Sequence, residues 1–302
     1  MSDVLPLHQL AALAAVIDEG GFEAAARALH VSPPAISQRL KALEKTVGRS
    51  LIQRSVPPVP TAAGERLLPH ARRLVSMARD AALAVGLGAA EGERPTLQLA
   101  VNADSLDTWF LESVSTWPGA HSSQLLLERA DQEDTHTLLV TGAVQAAVTT
   151  ARVPAPGCTS ELLGVMRYLP VAAPRLLASA PEGGLARLPM VDYDDADDLQ
   201  RASLASWVGR PVSSLHPPRH KVPSSTAFAR AVEAGLGWGM LPEEQALPAL
   251  RRGTLVPLPH GAHHDVVLFW HRWEPASVAL TELSAHLLGF ASARLRRPDS
   301  AH

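Results

Sequence analysis

The stretch FEAAARALHVSPPAISQRLKALEKTVG, residues 22–48, decides the fold of the N-terminal part of this chain. Its first eight residues predict a short, alanine-rich helix, whose small side chains let another helix approach closely. Ser32 then predicts a helix N-cap, and Pro33 is a favourable first helical residue because its missing N–H costs nothing there. The helix that follows has one apolar face, made of Ile36, Leu40, Leu43 and Val47.

The opposite face of this predicted helix is polar and basic. A helix, a short turn and a helix with an apolar inner face form the helix-turn-helix arrangement, whose second helix enters the major groove of DNA. Gln and Arg side chains can make bidentate contacts to base edges there, and Ser can contact a base or a phosphate. We therefore predict DNA contacts from Ser32, Pro34, Ser37, Gln38, Arg39 and Lys41.

The flanking segments complete a small domain. Residues 7–19 predict an amphipathic first helix that ends at Gly20-Gly21. Residues 51–54 and 56–61 predict two short strands, a β-wing that places Arg54 near the DNA backbone. The residues alone leave open a three-helix domain that binds a protein instead of DNA.

Charge is distributed unevenly along the chain. The whole sequence has a formal charge of −3, but residues 22–73 hold nine basic and three acidic residues, a net charge of +6. A basic block on an otherwise acidic protein is typical of a nucleic-acid-binding module, although a solvated surface without a partner has the same signature.

The segment after the wing predicts a dimerisation helix. Thr61 is a suitable N-cap, and Pro69 should remove one hydrogen bond or kink the second turn. Apolar residues then recur at alternating spacings of four and three, a heptad seam that two helices bury by pairing: Leu67, Ala71, Leu74, Ala78, Ala81 and Val85. The alternative is a helix packed on its own domain. Gly86, Gly88, Gly92 and Pro95 indicate a hinge.

Length and composition exclude several protein classes. The chain has 302 residues, of which 46% are hydrophobic and 19% charged, so it is neither disordered nor collagen-like. The length suggests two or three domains. Cys158 is the single cysteine and cannot form an internal disulfide. No apolar run is long enough for a membrane span and the N-terminus does not resemble a signal peptide, so we expect a cytoplasmic protein.

The C-terminal two-thirds alternates strand and helix patterns, which predicts an α/β domain with parallel sheets. The predicted strands are 97–101, 124–127, 144–149, 168–172, 189–192, 220–222, 237–241 and 265–270. The predicted helices are 105–116, 135–141, 196–207, 225–235, 243–251 and 276–296. The chain is expected to leave a first lobe near residue 165 and return to it near 265.

Polar residues at strand ends and helix starts predict a ligand cleft, because ligands of open α/β sheets lie beyond the carboxyl ends of the strands. Serine and threonine hydroxyls at helix N-termini suit a carboxylate, and the acidic side chains suit a cation. Each residue also has the simpler interpretation of a helix cap or turn residue. The candidates are Asn102, Asp104, Ser105, Asp131, Glu133, Thr149, Asp192, Ser224, Ser225 and Thr226.

No pattern predicts catalysis, a cofactor or a metal site. Gly235-Leu-Gly237-Trp-Gly239 precedes a strand instead of a phosphate-binding helix. His263, His264 and His271 lack metal-ligand spacing, and Cys158 has no identifiable base partner. We therefore predict a protein that is not an enzyme and needs no cofactor.

Several segments carry a resemblance to a known family. FEAAARALHVSPPAISQRLKALEKTVGRSLIQRS, followed by PTAAGERLL, resembles the winged helix-turn-helix of LysR-type transcriptional regulators. RSVPPVPT at 54–61, NADSLDTW at 102–109 and LFWHRW at 268–273 resemble its LysG/ArgP branch. One departure lies in the wing, where Pro57-Pro58-Val59-Pro60 stands where many family members carry a second basic residue.

The resemblance implies an architecture. Residues 1–60 would form the winged helix-turn-helix domain and residues 61–92 the linker helix and hinge. Residues 93–302 would form a two-lobed, periplasmic-binding-protein-like effector domain. Lobe I would comprise about 93–164 and 266–302, and lobe II about 165–265.

The resemblance also implies a function. The regulator would respond to L-lysine or L-arginine and activate a gene for an amino-acid exporter. It would bind a palindromic promoter site on double-stranded DNA as a homodimer or homotetramer, with RNA polymerase as a further candidate partner. Two alternatives stay open: a LysR-type regulator of another small metabolite, and an amino-acid receptor or enzyme whose N-terminal module binds a protein.

Overall fold

A computed structural model describes residues 5–53, 55–87, 94–179, 184–195, 197–259 and 261–298. The side chains of Ala84, Gln132 and Glu133 are outside that description, as are three residues singled out above, Arg54, Gly88 and Gly92.

Three helices form the N-terminal domain: α1 (Leu7–Asp18), α2 (Phe22–Ala28) and α3 (Pro33–Val47). Their buried side chains make one apolar core in which Ile36, Leu40 and Leu43 of α3 pack against α1 and α2. His30 adopts a left-handed φ of 52° in the turn between α2 and α3, and Pro33 opens α3 as predicted. The predicted inner face of α3 is therefore confirmed.

The wing consists of β1 (Ile52–Gln53) and β2 (Val59–Pro60), which pair antiparallel and are shorter than the predicted strands. Helix α4 (Ala62–Ala84) follows, and Thr61 caps it by accepting a hydrogen bond from the Gly64 N–H. The helix runs through Pro69 without ending.

The predicted heptad seam of α4 is buried in its first half and exposed in its second half. Ala71 is buried in the core of the N-terminal domain, with Leu67 packed against that core. Leu74, Ala81 and Val85, further along the helix, are exposed. The first half of the seam therefore packs on its own domain, and the second half is open to a partner.

The C-terminal domain contains a seven-stranded mixed sheet. Its strands are β3 (Thr96–Val101), β4 (Gln124–Arg129), β5 (Ala146–Thr149), β6 (Cys158–Ala172), β9 (Gly239–Pro242), β10 (Val256–Pro257) and β11 (His264–Trp273). The spatial order is β10-β6-β11-β5-β3-β4, and β9 also pairs with β6. A separate parallel pair joins β7 (Met190–Asp192) and β8 (Arg219–Lys221).

Parallel pairing was predicted throughout and is found in only part of the sheet. Strand β3 is parallel to β4 and β5, but β11 is antiparallel to both β5 and β6. Strand β6 begins ten residues before the predicted 168–172, and both predicted crossing points, near residues 165 and 265, fall inside β6 and β11. Two long antiparallel strands, which need no helical crossover, therefore carry the chain between the lobes.

The helices of this domain follow the predicted order. They are α5 (Ala103–Ser105), α6 (Leu111–Thr116), α7 (Gln132–Thr141), α8 (Pro174–Ala178), α9 (Leu199–Val208), α10 (Ser225–Glu233), α11 (Glu243–Arg252) and α12 (Val278–Arg294). A π-helical turn, Leu106–Phe110, joins α5 to α6. The short strand β10 and the short helix α8 were not predicted.

Apolar packing accounts for the covered sheet faces. Trp109, Trp238 and Trp270 are fully buried, and they belong to one cluster that extends across both lobes. Burying side chains of this size stabilises a fold by about 2 kcal/mol or more each. Among the described residues, no helix has the length and apolarity needed to cross a bilayer.

Candidate functional site

The outer face of α3 presents the predicted DNA-contacting side chains. Ser32, Pro34, Gln38 and Lys41 are exposed, whereas Ser37 and Arg39 are half-buried on the flanks. Ser32 occupies the N-cap position without a side-chain cap hydrogen bond. The structure therefore brings all six residues to one accessible helix surface.

Glu44 fixes this helix to the wing. Its Oε1 accepts hydrogen bonds from the Ser50 hydroxyl at 2.9 Å and from the Leu51 N–H at 2.8 Å. Strand β1 is thereby held beside the C-terminal end of α3. The seventh predicted DNA contact, Arg54, follows β1 and lies outside the described residues.

A cleft of about 480 Å³ lies between the two lobes of the C-terminal domain. Its walls come from the helix starts after β3 and β4, from β6, and from α9, α10 and α11. The polar residues that line it are Asn102, Asp104, Asp131, Asp134, Tyr168, Tyr193, Asp194, Asp197, Gln200, Ser225 and Gln245. This volume suits a small molecule of amino-acid size.

Asp104 connects the two sides of the cleft. Its Oδ2 accepts a hydrogen bond from the Tyr168 hydroxyl, and its Oδ1 accepts one from the Ser225 hydroxyl, both at 2.6 Å. The Gln245 amide donates to Ser225 in turn, at 2.9 Å. Burial raises the pKa of Asp104 although both hydrogen bonds lower it, and burial next to Asp104 raises the pKa of Tyr168 well above 10.0.

Four more carboxylates make the cleft strongly acidic: Asp131, Asp134, Asp194 and Asp197. Burial and the neighbouring Asp194 and Asp134 raise the pKa of Asp131. Arg129 is a cation at the edge of this group, where its guanidinium lies 5.7 Å from the Tyr193 ring centre and donates to the Pro223 carbonyl. Carboxylates crowded in a partly desolvated site favour a cationic ligand.

Four of the ten predicted ligand residues line the cleft: Asn102, Asp104, Asp131 and Ser225. Asn102 is also a helix cap, since its Oδ1 accepts a hydrogen bond from the Ser105 N–H. A fifth, Glu133, is in α7, but its side chain lies outside the described part of the chain.

The structure places the other five predicted residues outside the lining of this cleft. Ser105 and Thr149 are buried, and the Thr149 hydroxyl accepts a hydrogen bond from the Ala151 N–H. Ser224 caps α10, the simpler role that its position also suggested. The hydroxyl and the N–H of Thr226 both donate to Asp107.

Asp192 is the fifth of these residues. It is fully buried and accepts a hydrogen bond from Arg219 at 2.5 Å. Burial raises the pKa of Asp192, whereas the bond to Arg219 lowers it. Asp194 and Asp197, in the same acidic run, line the cleft instead.

Sequence reasoning missed most of the residues that line lobe II. Tyr168 lies within β6, away from a strand end, whereas Gln200 and Gln245 lie in the first turns of α9 and α11, two helix starts that were not selected from the sequence. Gln200 donates to Asp197 at 2.7 Å and to the Val191 carbonyl, which holds the acidic loop before α9. The one available signal was the acidic run at 192–198, which was also consistent with a solvated helix start.

The described residues contain no group of three or more His, Cys, Asp or Glu side chains arranged to hold a metal ion. His271 is buried, and desolvation lowers its pKa.

Two family models match the chain. The bacterial regulatory helix-turn-helix protein, lysR family, matches residues 7–65. The LysR substrate binding domain matches residues 90–291.

Relatives of similar length match nearly the whole chain. The lysine export transcriptional regulatory protein LysG of Corynebacterium efficiens is 42% identical over 96% of this chain and 99% of its own length. The crystal structure of ArgP from Mycobacterium tuberculosis is 38% identical, with a TM-score of 0.84 over 96% of this chain and 98% of that one. Full-length LysG from Corynebacterium glutamicum with bound effector Arg is also 38% identical, with a TM-score of 0.75 over 96% of this chain and 99% of that one.

Proposed function

The chain belongs to the LysR family of bacterial DNA-binding transcriptional regulators, and from this premise we propose that its effector is a basic amino acid, L-lysine or L-arginine. As a member of this family it is a regulator and not an enzyme. The alternative of an enzyme or receptor with a protein-binding N-terminal module is thereby set aside.

The observation that carries the effector assignment is the set of five aspartates that line the cleft. Ionised carboxylates in a desolvated site repel one another, and a cationic side chain relieves that repulsion. An acidic effector would add to it. The bound arginine of the Corynebacterium glutamicum relative supports the same assignment.

The positions of the polar groups suggest how the effector is oriented. We assign the cationic side chain to Asp131, Asp134, Asp194 and Asp197, replacing the earlier candidate Asp192. Asp104 would accept the α-ammonium group. The second N–H of the Gln245 amide is the donor for the α-carboxylate, in place of Ser105, Ser224 and Thr226, because the one proton of the Ser225 hydroxyl is donated to Asp104.

The wider role follows from these assignments. We propose that effector binding activates a gene for an amino-acid exporter, since an exporter lowers the concentration of the amino acid that is sensed. RNA polymerase would be the partner in activation. The chain would work in the cytoplasm, where the chromosome and its effector are found, as a homodimer or homotetramer.

Titration calorimetry with L-arginine, L-lysine and their neutral analogues tests the effector. L-Citrulline has the shape of arginine without its charge, and L-norleucine lacks the lysine ammonium. We expect the two cations to bind at least about tenfold more tightly, the effect of roughly 1.4 kcal/mol from one charge-assisted contact. Equal binding of arginine and citrulline would refute the assignment.

Variants locate the effector site. Asp194→Asn and Asp134→Asn should each weaken arginine binding by about tenfold, because each removes one carboxylate from the cation. Glu282→Gln, on the exposed surface of α12, removes a carboxylate far from the cleft lining and should bind as the parent does.

We also propose that Ser32, Pro34, Ser37, Gln38, Arg39, Lys41 and Arg54 form the DNA contacts. Gln38→Ala should keep the fold, because the side chain is exposed, and lose about 1–3 kcal/mol of sequence discrimination. Fluorescence anisotropy with operator and scrambled duplexes measures this loss. Thr46→Ala, exposed near the other end of the helix, is the control and should retain specific binding.

A further inference from the structure

Helix α4 joins the two functional sites. Leu68 and Ala71, in its first half, are buried in the core that α1 and α3 form. Any movement of this half of α4 therefore carries the DNA-binding domain with it, because the core packs as one body.

Another face of α4 is docked on the effector domain. The Gln145 amide donates to the Ser76 hydroxyl at 3.1 Å, and Arg73 donates to the Pro156 carbonyl at 3.2 Å. The Arg73 guanidinium also lies 5.1 Å from the ring centre of Trp273. These contacts place the linker helix against the loops at the two ends of β5.

Arg72 lies where the DNA-binding domain, the linker helix and the effector domain meet. Its Nε and Nη2 both donate to the Asp18 carboxylate at the end of α1, with the Nε contact at 3.1 Å. Its Nη1 donates to the Thr141 carbonyl at 2.5 Å. The Arg72 side chain is 14% exposed and its contact with Thr141 is partly buried, whereas the Asp18 side chain is 40% exposed.

The Thr141 carbonyl belongs to the last turn of α7, where carbonyl groups lack partners within the helix and attract cations. The other end of α7 lies in the acidic cleft, where Asp131 and Asp134 are part of the lining. Ten residues at about 1.5 Å each put the two ends about 15 Å apart. The hydrogen bonds of one continuous helix therefore connect the cleft to Arg72.

We propose that Arg72 is the positioning residue through which a ligand at the start of α7 changes the orientation of the DNA-binding domain. The inference rests on the proposed function, because the ligand is a cation held by Asp131 and Asp134. A cation drawn between these carboxylates shifts the first turn of α7. The Thr141 carbonyl at its far end then moves against Arg72, and α4 follows with the helices packed on it.

Hydrogen exchange of the full-length protein, followed by mass spectrometry with and without L-arginine, tests this route. In the parent we expect arginine to change exchange both at residues 131–136 and at residues 69–76. Arg72→Ala should keep the first change and lose the second. An unchanged response at 69–76 in that variant would overturn the inference.

Two further variants separate positioning from simple loss of stability. Arg72→Lys keeps the charge and one hydrogen bond, so it should recover part of the response at 69–76. Arg66→Ala removes an exposed arginine of the same helix and should respond as the parent does. If Arg66→Ala loses the response equally, the effect is a general one of the helix and the inference is wrong.

The effect of arginine on operator affinity gives a second, functional test of the same inference. If arginine changes operator affinity by about fivefold or more in the parent, the factor should fall below about twofold in Arg72→Ala. Arginine affinity itself should stay within about twofold, because Arg72 is not part of the cleft lining.

Failure of the proposed function can be distinguished from failure of this inference. Absence of arginine binding in calorimetry would refute the effector assignment alone. Hydrogen exchange of the parent and of Arg72→Ala is then compared without ligand. Under the inference, Arg72→Ala should still alter exchange at residues 131–136 by about threefold or more. Identical exchange at that distant end of α7 would refute the coupling.

Discussion

At the scale of single residues, the carboxyl groups of two aspartates in the cleft have different surroundings. Hydrogen bonds from Tyr168 and Ser225 offset part of the effect of burial on the pKa of Asp104. Asp131 instead lies near the carboxylates of Asp194 and Asp134, which raise its pKa further. Burial is the largest cause of the raised pKa in both. A bound cation favours the ionised form of each, so effector binding and proton release must be linked.

We therefore predict that L-arginine binding releases protons. The pKa of Asp131 lies above its usual 3.8 in the free protein, and a bound cation lowers it. Affinity should then rise as the pH rises through the raised pKa and level off above it. Calorimetry in buffers of different ionisation enthalpy measures the proton count directly.

The variant Asp131→Asn checks the source of those protons. It should weaken arginine binding near neutral pH and flatten the pH dependence. In the free protein the sign is reversed: a raised pKa favours the folded state in acid, and this contribution is lost as the pH rises through the folded-state value. Proton uptake upon arginine binding would contradict the prediction.

Residues at strand ends were predictable because topology places them at one edge of a sheet, as with Asn102, Asp104 and Asp131. Tyr168 was not, because it reaches the cleft from within a strand, and Gln245 was not selected although it lies in the first turn of α11. The choice of Asp192 shows a further limit. Hydrophobic alternation cannot tell which acid of a run pairs with a distant arginine, here Arg219, and which faces a ligand.

At the scale of elements, α4 makes different contacts on different faces, and the heptad pattern alone does not distinguish them. Its N-terminal apolar residues are needed by the domain core, and the face with Arg72 and Arg73 contacts the effector domain. Leu74, Ala81 and Val85 remain exposed on the seam. An exposed apolar stripe at heptad spacing is the surface that a second helix buries.

We predict that Ala81→Glu prevents dimerisation through this stripe. A charge at a seam position must be desolvated when two helices pair, at a cost of several kcal/mol across a symmetric dimer. Sedimentation velocity should show a smaller species, with the circular dichroism spectrum unchanged.

The control for this variant is Arg66→Glu, which places a negative charge on an exposed position of α4 away from the seam. It should leave the oligomeric state as it is. A dimer that survives Ala81→Glu would show that self-association uses other surfaces.

The predicted and the observed sheet agree at the parallel strands and differ at the antiparallel pair β6 and β11. The pattern of β3, α7 and β5 predicts parallel strands, and these are found. Strand β6 has exposed and half-buried residues over Cys158–Leu162, so its first half lacked the apolar run used to recognise the second. Its partner β11 pairs along both halves, and long-range pairing of this kind is invisible in local sequence.

At the scale of the whole molecule, charge is segregated between the two sites. The basic block of +6 lies in residues 22–73, which include α3 and the wing, while residues 92–302 carry a net charge of −5. DNA and a cationic effector are thus attracted to different ends of one chain. The acidic domain also repels DNA, which favours contact through the N-terminal domain.

This segregation and the exposed α4 seam lead to a prediction about the operator. Two α3 helices related by a two-fold axis require half-sites of opposite orientation, spaced by whole turns of the DNA, about 34 Å or a multiple of it. A site recovered by selection from random duplexes should therefore be palindromic.

Scrambling one half of this site should weaken binding by about tenfold or more. Inserting five base pairs at its centre should do the same, because this turns one half-site to the opposite face, and five more should restore part of the affinity. Affinity should also fall with salt, and Lys41→Ala should reduce the logarithmic slope by about one if that lysine contacts a phosphate. Binding that is indifferent to the scrambled half would mean that one DNA-binding domain acts alone, and the seam on α4 would then need another partner.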